Sequence, residues 1–158
     1  MIDHKHERLL DDIAIRIEEL VRSTDVKTAD LWACECAERA LLRERAEARE
    51  PYMDLWNALV VTRKFAGEGL SGSKRLRAAA RAWNAAHRTT GGLGCPARSV
   101  AWSAASAIQG HMFDAAEEAA RGKDGEDLEE RQWQLERLEE MIKGNVASKQ
   151  LKGNEDGK

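Results

Sequence analysis

The sequence is poor in residues that interrupt helices or favour β-strands. Among its 158 residues it has two prolines, one tyrosine and two phenylalanines, and it is rich in Ala, Leu, Glu and Arg. Summed helix propensity is therefore high along most of the chain, which predicts an all-α fold. A chain of this length suffices for one hydrophobic core, so we expect a single compact bundle.

Long apolar runs are also missing. The chain has no run of 18 apolar residues, and residues 1–8 are mostly charged or polar. A membrane-spanning helix needs about 20 apolar residues, and a secretory signal needs an apolar segment behind its first charges. We therefore expect no membrane span, no export signal of the usual form, and a cytoplasmic location.

The few cysteines and histidines show no spacing typical of a metal site, since neither C-x-x-C nor H-E-x-x-H occurs. Cys34 and Cys36 point about 200° apart on a helix, so a disulfide between them is not expected. Cys36 falls on an apolar face as a small core residue, and a nucleophilic Cys34 would need a base that the chain does not suggest. The sequence thus predicts no catalytic residue, no metal and no cofactor, and we expect that the protein is not an enzyme.

One glycine-rich motif, G-E-G-L-S-G at 67–72, has the G-x-G-x-x-G pattern of dinucleotide-binding loops. That motif needs a preceding strand, whereas the residues before it favour a helix, and no acidic residue follows about 20 positions later to bind a ribose hydroxyl. A Walker loop would need lysine directly after the last glycine, where Ser73 stands. We interpret the segment as a loop between two helices.

Apolar periodicity and end signals predict about six helices. They begin near Asp3, Thr28, Pro51, Ser71 or Ser73, Pro96 and Asp124. The fifth helix, rich in alanine and apolar on two sides, is expected to lie at the centre of the bundle. The fourth is expected to bury a stripe that consists of Leu76, Ala79, Ala80, Trp83 and Ala86.

The sixth helix carries a short heptad seam, in which Leu128, Leu135 and Ile142 are spaced by seven residues. Trp133 lies off this seam, so we expect it either to pack on the bundle or to contact a partner. The sequence predicts one helical domain over 1–143 and a disordered polar tail over 144–158.

The second helix contains W-A-C-E-C-A-E-R-A-L at Trp32–Leu41. This motif resembles the W-A-x-x-C-A-E-R-x-L signature of small α-helical immunity proteins from bacterial toxin and immunity systems, which also occur in phages and prophages. The likeness continues with an aromatic residue and a Gly-Glu pair at Phe65, Gly67 and Glu68. It extends to two Ala-rich segments, at 78–87 and 101–120.

The resemblance covers a core of 28–121, so the helices within 1–27 and 122–143 are additions to the family pattern. It implies an inhibitor without catalytic activity that binds and occludes a protein partner. That partner would be a toxin in an immunity role, or a host defence effector in a phage anti-defence role. The family has no established catalytic residues to carry over.

Charge is distributed unevenly along the chain, although the net charge is only -3. No Asp or Glu occurs between Glu68 and Asp114, whereas the following residues up to Glu140 are strongly acidic. Several cations of the acid-free span lie on one side of the fourth helix, opposite its expected apolar stripe, and could bind an acidic partner. The predicted partner-binding residues are Lys74, Arg75, Arg77, Arg81 and Arg88, together with Trp133.

Three other interpretations of these charges and of the heptad seam remain open. The acidic last helix could pack beside the basic fourth helix, so that their charges screen one another within the chain. The basic face could instead bind nucleic acid or phosphate, although the acidic balance and the lack of exposed aromatic platforms disfavour it. The seam within 126–142 could form a structural homodimer.

Overall fold

A computed structural model of the chain describes residues 4–43, 52–66, 73–88, 112–122 and 125–156. These residues form six helices and one short antiparallel ladder. The helices are α1 (His4–Ser23), α2 (Val26–Arg43), α3 (Tyr52–Lys64), α4 (Ser73–Arg88), α5 (Met112–Ala119) and α6 (Leu128–Asp156). The ladder pairs β1 (Arg121–Gly122) with β2 (Gly125–Glu126) between α5 and α6. The predicted all-α bundle is confirmed.

Helix α2 is the central element of the described part, because α3, α5 and α6 all pack against it. It begins at Val26, earlier than the predicted Thr28, since Asp25 caps it: the backbone N–H of Thr28 donates to Asp25 Oδ1 at 2.7 Å. We expected this central position for the Ala-rich fifth helix. That helix is predicted to begin near Pro96, and 96–111 lie outside the described residues. The described remainder is α5, whose Ala115 and Ala119 are fully buried.

Helices α1 and α6 pack against each other. Helix α1 buries Ile13, Ile17 and Val21, and α6 buries Leu138 completely. The seam residues Leu128, Leu135 and Ile142 are partly buried against the same core. The seam residues therefore contribute to packing within the chain, and the homodimer that the sequence allowed stays a prediction.

Helix α4 packs on α3 through alanines, and its orientation differs from the prediction. Leu76 and Trp83, expected to be buried, are 56% and 42% exposed. The buried side consists of Ala78, Ala79, Ala82, Ala85 and Ala86. The helix is thus turned by about 100°, one residue step, from the predicted orientation. Small side chains let α4 approach α3 closely, where bulky Leu side chains of α3 fill the core.

The backbone of α6 remains helical to Asp156. The structure differs here from the sequence, which predicts a disordered tail over 144–158. A helix that is already nucleated adds residues at little cost, and Lys149, Gln150 and Leu151 all have good helix propensity. The glycine-rich segment 67–72 lies outside the described residues, as do Cys95 and His111.

The outer face of helix α4 as a candidate functional site

The W-A-x-x-C-A-E-R-x-L motif holds the bundle together. Trp32 is fully buried, and its indole Nε1–H donates to the backbone oxygen of Gln134 in α6 at 2.9 Å. Glu38 accepts a hydrogen bond from Arg63 Nε of α3 at 2.7 Å. The other apolar motif positions, including Cys36 and Leu41, are also fully buried. These contacts make the motif structural, so it does not by itself mark a partner-binding surface.

Ion pairs join α6 to α2, and one of them uses a buried acidic residue of α6. Glu130, which is buried, accepts from Arg39 Nε at 3.0 Å through both carboxylate oxygens, and Arg43 Nη1 lies 3.7 Å away. In the opposite sense, Arg137 of α6 donates to Glu35 of α2 at 2.6 and 2.9 Å. The hydrogen bond to Glu35 raises the pKa of Arg137, so this guanidinium stays charged.

The pairing between α2 and α6 bears on the suggestion that α6 screens the basic helix α4. Among the described helices, α4 packs chiefly on α3, and an ion pair joins Arg88 Nη2 to Asp54 Oδ2 of α3 at 2.8 Å. Among the described residues, neither Arg77 nor Arg81 has an ion-pair partner, and both are exposed. The screening of α4 by α6 that the sequence allowed is therefore not seen for these two arginines.

The exposed side of α4 combines cations with large apolar side chains. We call it the α4 outer face, and it consists of Leu76, Arg77, Ala80, Arg81, Trp83, Asn84, His87 and Arg88. The ring of His87 lies edge-on to Trp83, with centroids 5.0 Å apart and planes at 71°. Lys74 and Arg75 belong to the first turn of α4, and their side chains lie outside the described residues.

Sequence reasoning found the arginines of this face and missed Leu76 and Trp83. Both stripes of α4 have helical spacing, and burying the larger side chains was the natural choice. A second stripe, made of Ala78, Ala82 and Ala85, also has helical spacing and could have indicated the observed orientation of α4. An all-alanine face suits close packing between helices, and so leaves the tryptophan outside.

A groove of about 310 Å³ runs between α3 and α4 along one edge of this face. Its lining residues are Asp54, Asn57, Ala58, Val61, Lys64, Phe65, Arg77, Ala78 and Arg81. The α4 outer face thus continues into a concave surface that has cations at its rim and apolar groups inside.

Trp133, the sixth predicted partner-binding residue, lies away from this face on α6. Its ring packs against the core, and the guanidinium carbon of Arg39 lies 4.3 Å from the ring centroid. A stacked arginine of this kind stabilises the fold through a cation–π contact. Of the two roles that the sequence left open for Trp133, the structure shows packing on the bundle.

The two cysteines of α2 show no features of a catalytic nucleophile. Cys34 and Cys36 are both fully buried, and burial raises the pKa of the Cys36 thiol well above its usual value. A thiol held protonated and out of contact with solvent is a poor nucleophile. Cys36 is a core residue as predicted, and Cys34 is buried as well because α2 is covered on nearly all sides.

Two further features are absent from the described part of the chain. No group of three or more His, Cys, Asp or Glu side chains within it could hold a metal ion. None of its helices combines the length and the apolar character that a membrane crossing requires.

Comparison with known proteins identified no relative. No family model matches the chain, and neither a curated protein nor a solved structure is detectably similar to it. The likeness of Trp32–Leu41 to the immunity-protein signature therefore stays a prediction.

Proposed function

We propose that the protein is a non-enzymatic inhibitor that binds an acidic surface of another protein through the α4 outer face. The single observation that carries this proposal is that Trp83 and Leu76 are exposed at one edge of the α4 outer face, while Arg77 and Arg81 are exposed at its other edge. Trp and Arg are the residues that most often dominate binding energy at protein interfaces. A tryptophan left 42% exposed while five alanines of the same helix are buried favours a binding role for this side of α4.

The expected chemistry of the partner follows from charge. Arg77 and Arg81 stand without internal ion pairs in the described part of a chain whose net charge is -3. A partner with acidic groups at its surface would be attracted to this local patch, even though the chain as a whole is acidic. The resemblance of Trp32–Leu41 to the immunity signature supports a toxin or a host defence effector as that partner, reached in the cytoplasm.

The test compares two charge-reversal pairs that change the net charge equally. Arg77→Glu with Arg81→Glu alters the α4 outer face, whereas Arg8→Glu with Lys27→Glu alters exposed positions of α1 and α2. Tagged versions are used to capture partners from cells that encode the protein, and the affinity for the purified partner is then measured. We expect the α4 pair to weaken binding at least tenfold, about 1.4 kcal/mol, and the control pair to change it little.

Circular dichroism and thermal melting verify that both double variants fold. Equal affinities for the α4 pair and the control pair would contradict the proposal. So would a captured partner whose contact surface is basic.

A second candidate function, binding of single-stranded nucleic acid, is favoured by one observation. Exposed Trp83 supplies the aromatic platform that the sequence seemed to lack, so that argument against nucleic acid no longer holds. Its signature would be affinity for oligothymidylate that falls steeply between 50 and 200 mM salt, on the order of tenfold per few phosphate contacts. If a protein partner binds and oligothymidylate does not compete with it, the result favours the function as a protein-binding inhibitor.

A further inference from the structure

The groove between α3 and α4 has three cations around its opening. Lys64 lies at its α3 side, and Arg77 and Arg81 lie at its α4 side. The lining includes a single carboxylate, that of Asp54, and Arg88 already donates to it at 2.8 Å. The opening therefore has an excess of positive charge, which an occupant would have to balance.

The inside of the groove is apolar. Ala58 and Ala78 are 2% and 7% exposed, and Val61 and Phe65 are half-buried beside them. A phosphate or a sulfate would leave this apolar surface uncovered, whereas an aliphatic or aromatic side chain would remove it from water. At about 310 Å³, the groove lies at the lower end of the roughly 300–1,000 Å³ typical of ligand sites. It suits one or two side chains better than a whole cofactor.

We infer that this groove binds an acidic linear segment of the partner protein, with a Leu or Phe side chain inside the groove and flanking Asp or Glu side chains on Lys64, Arg77 and Arg81. Charge complementarity carries the choice of occupant, since a basic segment would be repelled by all three cations. The inference rests on the proposed function and deepens it: the acidic surface of the partner becomes a short motif with an apolar anchor. Anchoring of this kind concentrates binding energy in a desolvated pocket at the centre of an interface.

A displayed library of random 12-residue peptides tests the chemistry without knowledge of the partner. Selection on the full chain should enrich peptides in which Asp or Glu flanks Leu or Phe. The affinity of a synthetic selected peptide is then measured by fluorescence anisotropy. Replacing its Leu or Phe by Ala, or its acids by Asn and Gln, should each lower that affinity at least tenfold.

The location is tested by filling the groove. Asn57 lines it at an exposed position of α3, so Asn57→Trp adds bulk at the opening while leaving the core intact. Asp12→Trp places the same side chain on the exposed side of α1 as a matched control. We expect Asn57→Trp to lower peptide affinity at least tenfold and Asp12→Trp to leave it within about twofold, with both variants melting like the parent.

Three results would overturn the inference: selection that enriches no peptides, enriched peptides that lack acids, or selected peptides that bind Asn57→Trp as well as they bind the parent. Failure of the groove is distinguishable from failure of the proposed function. If Asn57→Trp still captures the partner while the Arg77→Glu and Arg81→Glu pair does not, the α4 outer face binds the partner and the groove does not. If both sets of variants capture it equally, both proposals are wrong.

Discussion

The ion pair between Arg39 and Glu130 should respond unequally to the loss of its two partners. The Glu130 side chain is 8% exposed, whereas that of Arg39 is 47% exposed. Removing the arginine leaves a buried carboxylate with only the more distant Arg43 as a cation, while removing the carboxylate leaves a guanidinium that water can reach. Breaking a buried pair so that a charge stays uncompensated costs about 3–5 kcal/mol.

The expected magnitudes follow from what remains around each group. Arg39→Met keeps the stem that packs near Trp133 and leaves Glu130 with Arg43 at 3.7 Å, so we expect a loss of about 3 kcal/mol in the free energy of unfolding. Glu130→Gln keeps the shape and one acceptor oxygen, so we expect a loss of about 1 kcal/mol. The difference of about 2 kcal/mol between the two variants is the quantity under test.

Urea unfolding followed by far-ultraviolet circular dichroism gives both free energies and the coupling in the double variant. A strong coupling is expected because both side chains belong to one hydrogen-bonded pair. If Arg39→Met cost less than about 0.5 kcal/mol, or no more than Glu130→Gln, the pairing of acidic α6 with α2 would be refuted. The argument that α6 leaves the α4 outer face unscreened would then lose its basis.

Three other measurements test two buried residues and one exposed ion pair. Trp32→Ala removes a fully buried indole and its hydrogen bond to Gln134, and should lower the free energy of unfolding by about 3–5 kcal/mol in a denaturant titration; a loss below about 1 kcal/mol would contradict its core position. Arg88→Ala removes an exposed ion pair with Asp54 and should lower the free energy of unfolding by less than about 1 kcal/mol in the same assay. A larger loss would contradict the small contribution expected of an exposed ion pair. Burial raises the pKa of Cys36, so the folded protein keeps the thiol proton that the unfolded chain loses above about pH 8.5. The free energy of unfolding should therefore fall as the pH rises from about 8 to about 9.5. In Cys36→Ala the slope of this fall should be smaller by up to about 1.4 kcal/mol per pH unit. Identical pH slopes for the two proteins would exclude a perturbed Cys36.

The helices could be predicted from the sequence because their signals are local. Periodicity and end residues placed α1 and α3 within a residue or two, and the start of α4 at Ser73 is one of the two predicted positions. The sequence prediction starts α2 at Thr28, three residues after the actual cap Asp25, since both residue types can cap a helix. Helix ends depend on a few side chains next to the backbone, which a sequence displays directly.

The orientation of α4 and the ion pairs between helices could not be predicted in this way. Which side of α4 is buried depends on what α3 presents to it, and that is a property of two segments together. The pairing of Glu130 with Arg39, 91 positions apart, likewise depends on how α6 lies on α2. The same holds for the candidate site. Its arginines could be predicted from the charge pattern alone, whereas the exposure of Trp83 and the groove depend on how α3 and α4 pack together.

The most direct test of the central claim is photo-crosslinking from position 80 in living cells. Ala80 is exposed on the α4 outer face between the apolar and the basic residues, and a benzoylphenylalanine there would lie against any bound protein. Position 12, exposed on α1, serves as the control site. The account predicts a covalent adduct with one protein from position 80, lost when Arg77 and Arg81 are changed to Glu, and none from position 12. An adduct from position 12 alone, or equal adducts from both positions, would contradict it.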